Sequence, residues 1–186
     1  MPSSRGAIGI LEYQSVPKGM YVLHEIKKKI QFTDIQSEIL PGGKFIIYMK
    51  GSHGNVEYGM ELGFSEDTLV DLGWLGSVNK RLEIYLEGYN EGEEVPENLF
   101  IFQHKSYAKT LELTNTLLNT LDLEIVHLRA ERNMEGASLA IFSGGVSDVR
   151  GAKALMKEGE VLTNIDEDVY AQIRGYYEDD SYFSRR

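Results

Sequence analysis

The sequence predicts an α/β (α+β) protein built as a tandem repeat of one small βαββα unit. Three observations carry this expectation. Apolar strand and helix patterns recur in the same order in both halves of the 186 residues. The halves match throughout at an offset of about 92 residues, and self-similarity at a fixed period is the signature of repeated units. Each half also places a glycine directly after an apolar strand, followed by Asn or Asp and then Val. These are Gly51-x-x-x-Asn55-Val56 and Gly144-x-x-x-Asp148-Val149.

The first unit opens with Ala7-Ile8-Gly9-Ile10-Leu11, a short apolar run that reads as a buried strand. Ser15 can cap a helix, and Pro17 falls in its first turn, where a missing N–H costs nothing. The helix is expected from about Val16 to Lys29, with Met20, Leu23, Ile26 and Ile30 at helical spacing. Residues 35–40 form a strand, Pro41-Gly42-Gly43 a turn, and Lys44 to Lys50 the hairpin partner. Gly51 permits a tight exit into a helix that runs to about Phe64. Asn55 is expected to accept from its first free N–H groups.

The second unit repeats this order. Leu99 to Phe102 is a strand and Tyr107 to Thr120 a helix, with Leu111, Thr114, Leu117, Leu118 and Leu121 on one face. Glu124 to Arg129 and Ser138 to Phe142 pair across the loop Ala130 to Ala137, and Gly144 leads into a helix through Lys157. The expected organisation is a first unit over 1–64, an inter-repeat segment and linker over 65–97, a second unit over 98–160 and an acidic, aromatic tail over 161–186. Between the units, Leu69 to Leu72 reads as a strand. Leu82 to Leu86 fits either a strand or a short helix, and Glu91 to Glu97 an acidic linker.

A net charge of −10 repels nucleic acid and anionic membranes, so neither is expected as a partner. The absence of cysteine excludes disulfides, thiolate metal sites and a cysteine nucleophile. No signal peptide and no spanning segment is expected. His24, His53, His104 and His127 form no metal-binding spacing, and each reads as a surface or packed histidine. Gly42-Gly43-Lys44 is not a phosphate loop: Glu38 stands where the first glycine is needed, and Phe45 where Ser or Thr is needed. No pattern nominates catalytic residues, a metal or a cofactor.

Ala7-Ile8-Gly9-Ile10-Leu11-Glu12, the helix from Ser15, Pro41-Gly42-Gly43-Lys44-Phe45 and Gly51-x-x-x-Asn55-Val56 together resemble the bacterial microcompartment (BMC) shell domain. Two such domains in unpermuted order are similar to the tandem-domain trimeric shell proteins of the propanediol-utilisation type. The likeness covers 6–64 well and 98–160 more loosely. It implies two ferredoxin-like domains and a non-catalytic homotrimer with pseudohexameric symmetry. That trimer tiles with other shell proteins around encapsulated enzymes in the cytoplasm. It further implies a central pore for small polar metabolites, lined by Leu40, Pro41, Gly42 and Gly43 from unit one. Unit two would contribute Glu131, Arg132, Asn133, Met134 and Glu135. Lys28 matches the family's edge lysine, whereas unit two has Thr120 there. Some relatives hold an iron–sulfur cluster through a pore-loop cysteine, and Leu40 or Pro41 stands in its place. The alternative is a small-molecule-binding regulatory module of ferredoxin-like fold.

Overall fold

Every residue of β1 (Ala7–Tyr13) is buried, on both faces of the strand. A strand this apolar needs neighbours on all sides, and β1 has them. It pairs antiparallel with β3 (Lys44–Gly51) on one edge and with β4 (Leu69–Leu75) on the other. β2 (Asp34–Leu40) completes a sheet of order β2-β3-β1-β4, and α1 (Val16–Lys29) and α2 (His53–Phe64) cover one face. The second half repeats this with β5 (Asn98–His104), β6 (Leu123–Ala130), β7 (Ser138–Gly144) and β8 (Glu160–Thr163) in the order β6-β7-β5-β8. Its helices are α4 (Tyr107–Thr120) and α5 (Val146–Leu155). The computed structural model describes residues 6–64, 67–88 and 95–178. Most of the expected acidic linker and the end of the tail therefore lie outside the described residues.

The structure extends the expected strand at Leu69 to Leu72 into β4 and adds β8, which was not expected. β4 lies in the stretch expected to join the units, and β8 lies at the start of the expected tail. Each is the fourth, edge strand of its sheet. The ambiguous stretch after β4 is helix α3 (Lys80–Leu86), started by Asn79, whose side chain accepts from Arg81 N–H at 2.9 Å. The expected role of Asn55 and Asp148 is corrected. Ser52, not Asn55, accepts at the start of α2, and Gly145 starts α5 without a side-chain cap. Instead, Asn55 Nδ2 donates to Gln31 O at 2.8 Å and Asp148 Oδ1 accepts from Asp122 N–H at 3.2 Å. Both residues tie the helix start to the loop that follows the unit's first helix. The matched positions do equivalent work, but it is tertiary rather than capping.

Alternation along β3 explains how the units stack. Phe45, Ile47 and Met49 face α1 and α2, with Val22, Ile26, Val56 and Met60. Ile46, on the opposite face, joins Ile8 and Ile10 in a core shared with Tyr107, Ala108, Leu111, Phe100, Phe102 and Phe142. The layers therefore run α1/α2, first sheet, α3/α4/α5, second sheet. A last helix, α6 (Glu167–Glu178), lies on the far side. Close approach is built in at Gly73 of β4, where a Cβ would stand 2.5 Å from Ala108 O.

The Phe100, Phe102 and Phe142 rings stack at 5.9–6.4 Å between centroids, beneath the helices of unit two. Truncating the fully buried Phe142 to Ala is expected to cost about 3–5 kcal/mol. Chemical denaturation should show this as a lower midpoint.

Candidate functional site

Glu12 is the one charged residue in β1, and it is fully buried. It sits on the face of the first sheet that meets unit two. Its Oε1 accepts from Lys44 Nζ at 2.9 Å. Its Oε2 accepts from Ser106 Oγ at 3.1 Å and from Ala108 N–H at 2.9 Å. Ser106 is the N-cap of α4 and accepts from Lys109 N–H at 3.0 Å. The carboxylate is thus held at the positive end of a 14-residue helix belonging to the other unit. Lys44 is equally enclosed, and its ammonium also donates to Lys105 O at 2.6 Å and Gly136 O at 3.1 Å. Every proton of that ammonium therefore has an acceptor, the condition under which a buried ion pair is tolerated.

This network fixes the two loops singled out in the sequence. Lys44 follows the turn Pro41–Gly43 directly, and its bond to Gly136 ties that turn to the loop after β6. The loops interlock through backbone. A Cβ on Gly42 would lie 2.4 Å from Glu135 O, and one on Gly136 would lie 2.1 Å from Pro41 O. Both glycines also hold positive φ, +78° and +79°. The structure therefore brings the short turn of one unit against the long loop of the other.

Within this patch the side chains divide. Leu40 points into the shared core, while Gly42, Gly43, Arg132 and Glu135 are exposed and Pro41 and Met134 half-buried. The Asn133 side chain is outside what is described. Glu131 is buried and pairs with His127 Nε2, itself buried on β6. The charges that the long loop presents to solvent are therefore Arg132 and Glu135. Lys28 is far from the loops. It is exposed on α1 and pairs with Glu25 at 3.1 Å, which holds the Glu25 carboxyl below its usual range. Since α1 and α4 are both 14 residues long, end-to-end matching sets the helices 91 apart and makes Asn119 the counterpart of Lys28. There is no lysine at either Asn119 or Thr120.

Sequence reasoning missed the Glu12–Lys44 pair and the His127–Glu131 pair. One signal was available for the first: a lone Glu at the end of a wholly apolar strand must find a partner or stay protonated. A cleft of about 420 Å³ opens beside the seam between units, lined by Asp34, Glu38, Lys50, Glu83, Tyr48 and Tyr107 among others. Tyr48 donates to Glu38 Oε1 at 2.8 Å, and Lys50 Nζ pairs with Glu83 at 2.7 Å. Burial at the seam between the units pushes the phenols of Tyr48 and Tyr107 well above the usual 10.0. Among the described residues no group of three or more His, Asp or Glu could hold a metal ion. No helix among them is long and apolar enough to cross a membrane.

No family model matches the chain. Over 154 residues it is 25% identical to the bacterial microcompartment shell protein PduT of Citrobacter freundii, covering 82% of this chain and 83% of that one. The chain resembles the bacterial microcompartment shell proteins. A solved microcompartment protein from Desulfitobacterium hafniense DCB shares the fold, with a TM-score of 0.70 and 18% identity. That match covers 89% of this chain and 98% of the other. The observed tandem of two α+β units in unpermuted order is the arrangement that the resemblance implied.

Two outcomes test the site. Lys44→Met strands a buried carboxylate and should cost about 3–5 kcal/mol in denaturant unfolding, with Glu12→Gln/Lys44→Met together recovering a large part. The raised phenols bind their protons more tightly folded than unfolded. Their contribution is therefore complete below pH 10.0 and is lost as pH rises toward the higher folded values. Alkaline titration followed by tyrosinate absorbance should show these two phenols ionising only as the protein unfolds. Tyr48→Phe/Tyr107→Phe should flatten the loss of stability.

Proposed function

We propose that the chain is a structural, non-catalytic shell protein of a bacterial microcompartment in the cytoplasm, working as a homotrimer of pseudohexameric form. One observation carries this: the chain contains one complete seam between units and leaves the α1 half of an equivalent second seam exposed. In the seam within the chain, Ala108, Leu111, Asn115 and Leu118 of α4 pack on or beside unit one. Their counterparts on α1, 91 residues earlier, are Pro17, Met20, His24 and Lys27, and all are exposed. The first-sheet face that meets α4 carries Ile8, Ile10 and Ile46, and its counterpart on the second sheet carries Leu99, Ile101 and Leu139. Joining α1 of one chain to the second sheet of the next is a heterologous contact, the kind that generates a ring when it closes.

The polar groups agree with a second seam of this kind. The counterpart of Glu12 is the neutral Gln103. That of the N–H donor Ala108 is Pro17, which has no N–H to give, and that of Lys44 is Ala137. Carboxylate, ammonium and helix donor are absent together, so the second seam lacks the buried ion pair of the first. Resemblance to the shell proteins supports placing the interlocked loops at the central axis. Three short turns, Leu40 to Gly43, would then alternate with three loops, Glu131 to Glu135. Exposed Arg132 and Glu135 give a rim of both signs, suited to small polar metabolites. Lys28, held only by a surface pair, is free to exchange Glu25 for an acceptor on a neighbouring disc or another shell protein. Residues 1–64 and 98–160 hold the βαββα part of each unit in this reading, and β4 and β8 just beyond them complete the sheets.

Light scattering of the purified chain should give a mass three times 21.0 kDa, and Met20→Glu should return it to one chain. A wild-type protein that stays a monomer at every concentration would sink the proposal.

A further inference from the structure

The second-sheet face that the second seam requires is already occupied. Leu99 and Ile141 are buried there beneath Tyr170 of α6, with Ile101, Val126, Leu139, Leu162, Ile165 and Ile173 packed around them. Yet α6 holds this place through little of its length. Tyr170 is its one buried side chain among those described, Ile173 is half-buried, and Val169 is 42% exposed.

Repeat symmetry gives α6 a second address. Ile10 pairs with Gly73 of β4, and its counterpart Ile101 pairs with Glu160 of β8, so the edge strands match at an offset of 87. At that offset α6 is the counterpart of α3. The correspondence extends to the cap: Asn79 accepts from Arg81 N–H at 2.9 Å, and Asp166 Oδ1 accepts from Val169 N–H at 2.8 Å. α3, however, does not lie on its own sheet. It reaches across the seam, with Leu82 fully buried on unit two and Asn79 bonded to Asn115 and Leu118 of α4.

We infer that α6 is an exchangeable cover. In the single chain it occupies the sheet face on which α1 of a second copy docks, and on association it leaves that face for the position α3 holds at the first seam. This rests on the ring reading above. The exchange reverses the exposure of named residues. Val169, counterpart of the buried Leu82, goes from exposed to buried. Ile173, counterpart of Leu86 (38% exposed), goes from half-buried to exposed. Tyr170, counterpart of Glu83, gives its buried site to Met20 of the second copy. Asp166, counterpart of Asn79, comes to face His24 of that copy, an acid against an imidazole where the first seam pairs two amides.

The chain has no cysteine, so a single introduced thiol reports each site. On association, modification of Val169→Cys should slow by roughly tenfold or more, and that of Ile173→Cys should accelerate by a similar factor. Tyr170→Ser loosens the cover and should tighten self-association by roughly tenfold, measured by sedimentation over a concentration series. Unchanged rates at both thiols in a protein that does associate would overturn the exchange and leave the ring intact. Unaltered association of a folded Tyr170→Ser variant would do the same. If neither wild type nor variant associates at any concentration, the ring fails and the exchange fails with it. The two thiol variants keep the wild-type Tyr170 and decide the matter even where Tyr170→Ser does not fold.

Discussion

One buried carboxylate organises this chain. Glu12 joins three things that are distant in sequence: the central strand of the first sheet, the start of α4 and, through Lys44, both interlocked loops. Its bonds to Ser106 and Ala108 span 94 and 96 residues. An ion in such a place is costly unless it is well paired, and here Glu12 accepts three bonds and every Lys44 proton has an acceptor. The geometry is therefore demanding, and that is its consequence for the fold. Apolar contact between the first sheet and α4 would tolerate sliding, whereas a carboxylate seated on a helix N-terminus would not. The register between units, and with it the relative position of the loops, is set by this contact.

The same network marks the seam within the chain and has no equivalent at the second seam proposed above. The charge pair stands at the seam within the chain, and the positions matching its carboxylate, lysine and N–H donor hold Gln103, Ala137 and Pro17. The seam inside the chain is permanent and can carry a buried ion pair that never needs to be rehydrated. The proposed seam between chains would form from solvated surfaces, and it has no counterpart of the Glu12–Lys44 pair. The weakly buried α6 belongs to this asymmetry. An apolar sheet face left open in the free chain would invite unspecific association, and a helix anchored mainly by Tyr170 shields it without holding it firmly.

Most elements were legible because their periodicity is strong. β1, β3, β5 and β7 are central strands with continuous apolar runs, and α1 and α4 carry serine caps and helical spacing. Of the edge strands, β2, β6 and most of β4 were legible and β8 was not. β8 has no fully buried residue, so its four positions carry little pattern. Leu82 to Leu86 alternates as a strand would, yet forms helix α3. Asn79 caps it, and Leu82 is buried on the other unit while Ile84 and Leu86 stay exposed. The turn at Pro41–Gly43 and the loop after β6 stand where the sequence put them. Even so, nothing in the order Glu131-Arg132 says that the first is turned inward to His127 and the second outward.

The sequence by itself determined the repeat, the order of strands and helices in each unit, and the likeness to the shell proteins. These depend on local periodicity and on short patterns such as Gly51-x-x-x-Asn55-Val56, and local forces write them along the chain. Only the tertiary structure decided which face of the first sheet meets the second unit, what Glu12 and Lys44 are for, and why Asn55 and Asp148 recur. It also showed that a helix at the end of the chain covers the face left over. Those depend on bonds between residues from 24 to 96 positions apart, whose energy comes from burial and pairing. No stretch of sequence records either until the chain has folded.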